Sequence, residues 1–302
     1  MSDPSPKSSS TGPSSVELFG RSFFDGTAEQ ALETLLTSSA AQPTRAYFMA
    51  AYCVNAAASS EPYRQALTRA DVLFADGAGM ALAAVVAGHR LRANINGTDL
   101  CPQLIERLAE GGRSVYLLGA EPGVAQEVAD RWRAEHPRLV VAGTRDGYFD
   151  EAESPAIAEA VRQSSADTLL VALGVPAQEL WLDRWFPATG ARLAMGVGGL
   201  FDFVAERVTR APRALRGLGL EWAWRTAQEP RRLAGRYLVG NPLFLGRLAA
   251  WEAGWWAGIT PREAPPAGPV AAGDAPGTER PTAGEGSSPG TPGPPGRGAD
   301  SG

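Results

Sequence analysis

The sequence predicts an α/β fold in which a parallel sheet carries helices on both faces. Short apolar segments alternate with segments of helical periodicity between residues 71 and 197. Strands that are buried on both faces have such continuous apolar runs, and their alternation with helices is typical of parallel sheets. Glycine-rich loops follow most of the predicted strands. Ligands in these sheets bind at the carboxyl ends of the strands, so we expect the loops to line one rim.

The individual elements follow from apolar periodicity, turn residues and helix-capping residues. An apolar residue every three or four positions indicates a helix, whereas a short apolar run that ends at glycine indicates a buried strand. The segment 46–54 is apolar throughout and fits either element. Gly97-Thr98-Asp99 offers an N-cap to the helix that follows it. The predicted elements are helices over 27–38, 62–70, 78–87, 100–109, 124–135 and 154–163, a further helix after Glu179, and strands over 71–75, 114–118, 139–142, 168–173 and 193–197.

Composition divides the chain into four parts. Residues 1–15 are rich in Ser and Pro, and residues 261–302 are dominated by Pro, Gly, Ala and Ser. Neither part can bury enough apolar surface to offset the entropy of ordering, so both are predicted to be disordered. The strand–helix alternation occupies residues 16–208. Residues 209–260 form an appendage of arginine-rich and tryptophan-rich helical segments.

The appendage concentrates positive charge in an acidic protein. Nine arginines and two acidic residues lie between Arg207 and Arg247, although the whole chain has a net charge of -5. Arginine forks grip phosphates, and tryptophan side chains settle at a lipid–water boundary. The N-terminus lacks the apolar core of a signal peptide, and no apolar stretch reaches the ~18 residues of a membrane span. We therefore expect a cytoplasmic protein with peripheral contact to the membrane surface. The acidic remainder argues against nucleic acid as a partner.

Residues that the chain lacks argue against several enzyme classes. A nicotinamide dehydrogenase needs a third glycine after Gly77-Ala78-Gly79, and Leu82 stands there instead. Lys7 is the only lysine, which excludes a Schiff-base lysine from the folded part of the chain. The Asp-x-Asp motif that holds a divalent ion in many nucleotide-sugar transferases is absent from the sequence. Cys53 and Cys101 have no metal-ligand spacing.

A metal-free transferase that acts on diphosphates fits the residues that are present. Backbone amides of glycine loops and arginine forks replace the metal in such a site. Asp76, at the end of a predicted strand, can act as a general base, although Asp-Gly is also a common turn. Asp202 lies between two phenylalanines, where a desolvated carboxylate favours a specific partner such as a base or sugar edge. No cofactor and no metal ion are expected.

Eight short blocks occur in order along the chain. They are Ala75-Asp-Gly77, Gly97-Thr-Asp-Leu100, Leu117-Leu-Gly119 with Pro122-Gly-Val124, Asp146-Gly-Tyr-Phe149, Gly174-Val-Pro-Ala-Gln-Glu179, Gly196-Val-Gly-Gly-Leu-Phe-Asp202, Arg210-Ala-Pro212, and Glu221-Trp222 through Glu229-Pro-Arg-Arg232. Their order and spacing resemble the WecG/TagA/CpsF glycosyltransferases, glycosyltransferase family 26. The resemblance covers roughly residues 46–248. Each block alone is weak, whereas eight in order form a specific signal.

The resemblance implies an inverting transfer of a sugar, N-acetylmannosamine or its uronic acid. The sugar moves from a UDP-sugar donor to a polyprenyl-diphosphate-linked sugar acceptor, and the products feed wall teichoic acid, capsule or other surface polysaccharide. It also implies a Rossmann-like core and an appendage whose arginines enter the active site at the membrane. An appendage and a rim shared between subunits would allow a homo-oligomer.

The family's functional residues carry over onto this sequence one by one. Asp76 matches the proposed general base, and Gln178 matches a glutamine of the sugar pocket. Tyr148 and Asp202 match positions near the nucleotide. Substrate binding is also assigned to Asn94, which lies ahead of the Gly97–Leu100 block, and to Asp99 within it. Four appendage arginines would hold the diphosphates: Arg225, Arg231, Arg232 and Arg236.

Three positions depart from the family pattern. Ala50 stands where members often have asparagine, Asn94 where many have arginine, and Glu206 where glycine is usual. The neighbouring Asn55 is a candidate replacement for the missing amide. Loss of the arginine weakens the expected grip on a negative group, which allows a different donor sugar or acceptor. The departures at Ala50 and Asn94 also favour an alternative hypothesis, a nucleotide-sugar-binding or scaffolding protein that has lost catalysis.

Overall fold

The computed structural model describes residues 12–209, 211–212 and 221–254, and the side chains of Glu221, Arg225, Arg232 and Arg236 are not among the described parts. The predicted tail over residues 261–302 lies outside the described residues, as do residues 1–11 of the predicted disordered start. The described strands are β1 (Ser14–Leu18), β2 (Arg21–Asp25), β3 (Thr44–Met49), β4 (Val72–Ala75), β5 (Ser114–Gly119), β6 (Val140–Arg145), β7 (Thr168–Ala172) and β8 (Leu193–Gly196).

These strands form one sheet in the order β1-β2-β4-β3-β8-β7-β5-β6. β1 and β2 pair as an antiparallel hairpin, and the other neighbouring pairs are parallel. The predicted α/β class with a largely parallel sheet is therefore confirmed. The hairpin was not predicted. Because β1 begins at Ser14, the predicted disordered start extends too far into the folded chain.

Helices follow most strands. They are α1 (Ala28–Ala41), α2 (Ala51–Ser59), α3 (Glu61–Thr68), α4 (Gly77–Val86), α5 (Gly97–Glu110), α6 (Val124–Glu135), α7 (Ser154–Ser164), α8 (Ala177–Thr189), α9 (Leu200–Val204), α10 (Glu221–Gln228), α11 (Pro230–Ala234) and α12 (Gly240–Glu252), with a 3-10 turn at Glu151–Glu153 and a π turn at Gly235–Val239. Across the described part of the chain, no helix is both long and apolar enough to cross a membrane.

Two local assignments differ from the sequence prediction. The ambiguous segment 46–54 contains both elements, because β3 ends at Met49 and α2 begins at Ala51. The N-cap of α5 is Asn96, whose Oδ1 accepts the backbone N–H of Asp99 at 2.9 Å. The predicted cap over 97–99 is therefore wrong, and those residues form the first turn of the helix.

Each face of the sheet has its own apolar core. Neighbouring residues of a strand point to opposite faces, so in β3 the side chains of Tyr47 and Met49 enter one core and that of Phe48 enters the other. Helices α2, α3, α4, α7 and α8 cover the first face, while α1, α5, α6 and α9 cover the second. The sheet is thus held rigidly from both sides, which fixes the positions of the loops at its rim.

The last described helix of the appendage, α12, packs against α2 and α4. Phe244 is buried and lies 6.0 Å from Phe19 between ring centroids. Asn55 of α2 donates from Nδ2 to the carbonyl oxygen of Gly240 at 2.7 Å, and its Oδ1 accepts a hydrogen bond from Arg247. A Cβ at Gly79 would lie 2.8 Å from the side chain of Ala51, so glycine at this position permits the close approach of α4 to α2. The appendage therefore contributes to the rim beside α4.

The strand order switches direction between β3 and β8. From β3 the chain moves outward to β4 on one side, whereas β5, β6 and β7 lie on the other side of β8. Loops that leave neighbouring parallel strands in opposite directions open a crevice at the carboxyl ends. The topology thus places a ligand-binding crevice beyond the ends of β3, β4 and β8.

Candidate active site

A pocket of about 410 Å³ occupies this crevice. The loops after β3, β4 and β8 line its floor, and Gln178 from the start of α8 lines it as well. The appendage supplies the opposite wall through Trp222, Tyr237, Asn241, Phe244 and Leu245. Pockets of this size commonly hold small-molecule ligands. The prediction that glycine-rich loops meet at one rim holds for the glycines after β4 and β8.

Two helix N-termini open into the pocket. The first turn of α4 contributes Gly77, Ala78 and Gly79, and the first turn of α5 contributes Gly97 and Thr98. The N–H groups of a first turn lack intrahelical partners and carry the positive end of the helix dipole. Both ends therefore favour an anionic ligand such as a phosphate group.

Asp76 lies between β4 and α4 and lines the pocket. Its backbone N–H donates to the carbonyl oxygen of Met49 at 2.9 Å, which ties it to the end of β3. The side chain is half-buried and does not cap α4. Gly77 next to it has a φ of +81°, a conformation that glycine adopts without strain. The carboxylate therefore faces the ligand space from a fixed backbone position.

Asn94 is an exposed residue of the loop before α5 and also lines the pocket. Its Oδ1 accepts the backbone N–H of Gly77 at 2.9 Å. This contact holds the first turn of α4 next to Asp76. The position where many relatives would have arginine is thus occupied by a neutral side chain that stabilises the loop carrying the carboxylate.

Gln178 is buried and held in one orientation. Its Nε2 donates to Oε1 of Glu179 at 2.8 Å, and its Oε1 accepts the backbone N–H of Gly198 at 3.0 Å. One N–H and one lone pair of the amide then remain to contact a ligand. A Cβ at Gly196 would lie 2.9 Å from Nε2, so glycine at that position leaves room for the amide.

Glu179, behind Gln178, is a fully buried carboxyl group. Within the described residues its Oε2 has no hydrogen-bond partner. Desolvation by burial raises the pKa of Glu179 to about 7, partly offset by the hydrogen bond from Gln178. Glu179 therefore exchanges its proton near neutral pH while it orients a residue of the pocket. No local sequence pattern predicts this behaviour, because the glutamate stands in a motif that is typical of a loop followed by a helix.

The raised pKa of Glu179 predicts a stability that falls as pH rises. Between the ordinary carboxyl pKa of 4.5 and about pH 7, the folded protein holds a proton that the unfolded chain has lost. Folding stability contributed by this group is thus lost over that window, on the order of 3 kcal/mol in total, and the loss is complete above it. Urea unfolding at several pH values should show this decrease in the wild type and not in Glu179→Gln. An identical decrease in Glu179→Gln would contradict the assignment, and Glu135→Gln, an exposed position, is the control.

Four of the predicted site residues that the structure describes do not line the pocket, and Arg231 of the appendage is one of them. Asp99 is exposed on α5 and accepts a hydrogen bond from Nδ2 of Asn96 at 2.8 Å. Tyr148 is 67% exposed in the loop after β6. Asp202 lies on α9, half-buried between its phenylalanine neighbours. Their roles in substrate binding stay predictions. Asn55, the candidate replacement for the missing amide, anchors α12 and does not line the pocket.

The appendage arginines are only partly described. Arg231 is exposed at the start of α11. The side chains of Arg225, Arg232 and Arg236 lie outside the described parts of the structure. Arg207, which belongs to the same cationic segment in the sequence, pairs with Glu127 of α6 at 2.8 Å. This exposed ion pair joins the segment after α9 to α6.

Most of the appendage wall was not predicted from the sequence. The tryptophans of the appendage were interpreted as residues of the lipid–water boundary, and the structure places one of them, Trp222, in the pocket wall together with Tyr237 and Phe244. Asn241 was not singled out at all. Aromatic residues in an otherwise cationic segment were the available signal, but only the docking of α12 on α2 shows that they face the ligand space.

The chain's potential metal ligands are dispersed. In the parts of the chain that the structure describes, His, Cys, Asp and Glu side chains do not gather in groups of three or more that could hold an ion. Cys53 and Cys101 are both buried, and desolvation raises the pKa of each thiol to about 12. Both thiols are therefore protonated at neutral pH.

The fold and the pocket define a class of protein. A carboxylate and an oriented amide stand beside two helix N-termini at a switch point, as in α/β enzymes that bind phosphorylated ligands. Residues 16–257 match the model of the glycosyl transferase WecG/TagA/CpsF family. The chain belongs to this family, and the resemblance predicted from the eight blocks is confirmed.

One curated relative gives a more specific comparison. Over 170 residues the chain is 31% identical to the N-acetylglucosaminyldiphosphoundecaprenol N-acetyl-beta-D-mannosaminyltransferase of Bacillus spizizenii. The alignment covers 56% of this chain and 65% of the relative. The chain thus matches somewhat less than two thirds of the relative's length.

Proposed function

We propose that the pocket is the active site of an inverting glycosyltransferase. The enzyme would move N-acetylmannosamine, a similar sugar or its uronic acid from a UDP-sugar to a polyprenyl-diphosphate-linked sugar. The observation that carries the proposal is the position of Asp76, a carboxylate at the switch point of a chain that belongs to this family. The named relative, whose acceptor is a diphosphoundecaprenol-linked N-acetylglucosamine, supports the acceptor class. The product would enter teichoic acid or another surface polysaccharide of the cell wall.

Asp76 acts as the general base in this proposal. Its carboxylate takes the proton from the acceptor hydroxyl while the hydroxyl oxygen forms a bond to the anomeric carbon of the donor. The bond from that carbon to the UDP oxygen breaks on the opposite side, and its electron pair leaves with UDP. One displacement inverts the anomeric configuration. Asn94 supports this step by holding Gly77, next to the base.

The negative charge that develops on UDP needs a positive environment. The N-termini of α4 and α5 supply oriented N–H groups at the pocket, and such preorganised dipoles stabilise charge without rearranging. The appendage arginines Arg225, Arg231, Arg232 and Arg236 are proposed to add charge-assisted hydrogen bonds to the diphosphates. In this arrangement the protein provides the charge stabilisation that a divalent ion provides in other transferases.

We also propose that the enzyme acts as a peripheral protein at the inner face of the plasma membrane. The acceptor in the proposed reaction is anchored in a bilayer by its polyprenyl chain. The excess of arginine over acidic residues between Arg207 and Arg247 suits an anionic lipid surface, and the tryptophans suit its interface.

A second candidate is a nucleotide-sugar-binding protein of the same fold without transfer activity. Phe48 and Ala50 make the pocket wall beside β3 apolar, where family members often carry a threonine and an asparagine. If a substrate needs a hydrogen bond from that wall for transfer, this protein would still bind the nucleotide but would catalyse poorly. Binding without turnover is therefore the outcome that this candidate predicts.

A donor screen separates the two functions. Purified protein is incubated with several UDP-sugars and a synthetic diphosphate-linked N-acetylglucosamine that carries a short alkyl chain, and products are read by mass spectrometry. We expect one donor to give an acceptor heavier by one N-acetylhexosamine or its uronic acid, with release of UDP. Tight binding of a UDP-sugar with no product from any donor would instead favour the binding protein.

Chelation tests the proposed independence from metal ions. Because backbone N–H groups and arginines supply the positive charge, excess EDTA should leave the transfer rate within about twofold of the untreated rate, less than 0.5 kcal/mol in activation free energy. The measurement is the initial rate of UDP release before and after removal of divalent ions. A loss of activity that added Mg²⁺ or Mn²⁺ restores would contradict this part of the proposal.

A further inference from the structure

Helix α4 has an unusual composition for a helix that reaches the surface. Its sequence, Gly-Ala-Gly-Met-Ala-Leu-Ala-Ala-Val-Val, contains no polar side chain. Met80, Ala83 and Ala84 are completely buried, as expected for its inner face. A surface helix normally carries polar residues on its outer face. On α4 that face is apolar, with Leu82 at 42%, Val85 at 60% and Val86 at 37% exposure.

These exposed residues form a strip that begins at the active-site pocket. Leu82, Val85 and Val86 are spaced by three and four positions, so they lie on one side of the helix. Leu82 lines the pocket, and so does Leu245 of α12, which is 50% exposed. We call these four residues the α4 strip. It leads from the pocket rim to the outer surface without a polar interruption along α4.

The strip ends where the chain becomes polar. Gly88, His89 and Arg90 follow α4 and are exposed. From Leu82 to Val86 the helix rises roughly 6 Å. This is about the length of one extended isoprene unit, which has four carbons along the chain. An apolar path of this length next to a pocket for diphosphates has a clear chemical counterpart, because a polyprenyl diphosphate joins its hydrocarbon chain directly to the diphosphate.

We propose that the α4 strip seats the first isoprenoid unit of the lipid-linked acceptor. The proposal rests on the proposed function, which puts the acceptor diphosphate in the pocket. The hydrocarbon chain of a diphosphate bound there has to leave over the rim of the pocket. Leu82 and Leu245 line the pocket and are also exposed to solvent, so they offer apolar contacts at that exit. A second copy of this protein fits less well, since stable dimers bury ~20–30 residues a side and the strip has four.

A pair of acceptors and a matched pair of variants test the strip. Transfer is measured in one detergent with two acceptors that differ only in the lipid, one with a long isoprenoid and one with a methyl group on the diphosphate. Val85→Ser changes the strip at a residue that does not line the pocket. Val140→Ser is the control, because Val140 has a similar exposure of 51% and lies on β6, an edge strand of the sheet that is far from β4 and α4 in the strand order.

The expected result is a change in the ratio of the two KM values. Loss of apolar contact at Val85 should raise KM for the long-chain acceptor on the order of fivefold relative to the short one, and Val140→Ser should leave the ratio at its wild-type value. The same ratio in Val85→Ser and the wild type, with both acceptors used, would overturn the strip and leave the proposed function standing. Equal losses on both acceptors would overturn it as well, since the residue would then serve the fold.

Two further outcomes assign the face to other partners. If Val85→Ser lowers binding to anionic lipid vesicles and keeps the wild-type KM ratio in detergent, the face contacts the bilayer and the proposal is wrong. If Val85→Ser changes the sedimentation coefficient and keeps that ratio, the face joins two copies of the chain, which also overturns it. No transfer by the wild type to either acceptor would overturn the proposed function and the strip together.

Discussion

Asp76→Asn should slow sugar transfer by about 10²–10⁴-fold, the range over which a general base accelerates proton transfer. The amide is nearly isosteric with the carboxylate but cannot accept the acceptor's proton at neutral pH. Asp76 is tied to β3 through its backbone N–H, which the substitution keeps, and the two side chains have nearly the same shape, so the fold should tolerate the change. The expected result is therefore a low kcat with a near wild-type KM for the donor.

The measurement is steady-state transfer together with calorimetric binding of the UDP-sugar. Asp130→Asn serves as the matched control, because Asp130 is an exposed carboxylate on α6 whose hydrogen bonds are local to that helix. Thermal melting of both variants excludes a folding defect. A turnover for Asp76→Asn within a few-fold of the wild type would remove this residue from the mechanism.

Phe244→Ala should detach the appendage from the sheet domain. Phe244 is 2% exposed, packs beside Phe19 and Gly79, and lines the pocket. Truncation of a buried phenylalanine costs about 3–5 kcal/mol, a large fraction of what holds one helix in place. The pocket would then lose the wall that α12 supports. We expect transfer to fall by at least about tenfold, since a mispositioned site loses much of its rate.

Leu243→Ala is the natural comparison for this variant. Leu243 is the preceding residue of the same helix and is 46% exposed, so its truncation should change stability by less than about 0.5 kcal/mol. Limited proteolysis after residue 209 reports the docking of the appendage, and turnover reports the pocket. Wild-type protease resistance and wild-type turnover in Phe244→Ala would show that α12 does not shape the site.

Much of the fold could be predicted because its strands are short, apolar and bounded by glycine. Segments such as Val115–Leu118 and Leu169–Val171 are almost completely buried, which is what their continuous apolar runs indicate. The hairpin of β1 and β2 was missed for a physical reason. It stands next to a Ser/Pro-rich start, and one of its faces is exposed, so its apolar content is low.

The candidate site was predictable where a residue directly follows a strand. Asp76 was identified from its position at the end of a strand and Gln178 from the family resemblance, and the structure brings them and Asn94 into one pocket. Tyr148 and Asp202 follow strands as well, yet neither lines it. A sequence shows which loop follows which strand, but the direction of a side chain depends on the turn of the following helix.

The appendage wall required tertiary information. Trp222 and Tyr237 enter the pocket because α12 docks on α2, and that docking depends on contacts with Asn55 and Gly79, far away along the chain. The buried Glu179 is similar, since its raised pKa arises from packing that no local pattern records. Long-range contacts of this kind explain why the sequence alone offered Asn55 as a pocket residue and did not predict the aromatic wall.

The anomeric configuration of the transferred sugar tests the central claim most directly. With a single displacement that Asp76 assists as a base, the product should have the configuration opposite to that of the UDP-sugar. Nuclear magnetic resonance of the purified product gives this configuration from its anomeric signals. An inverted product is the predicted result, whereas a product that retains the donor's configuration would contradict the direct attack proposed for this site.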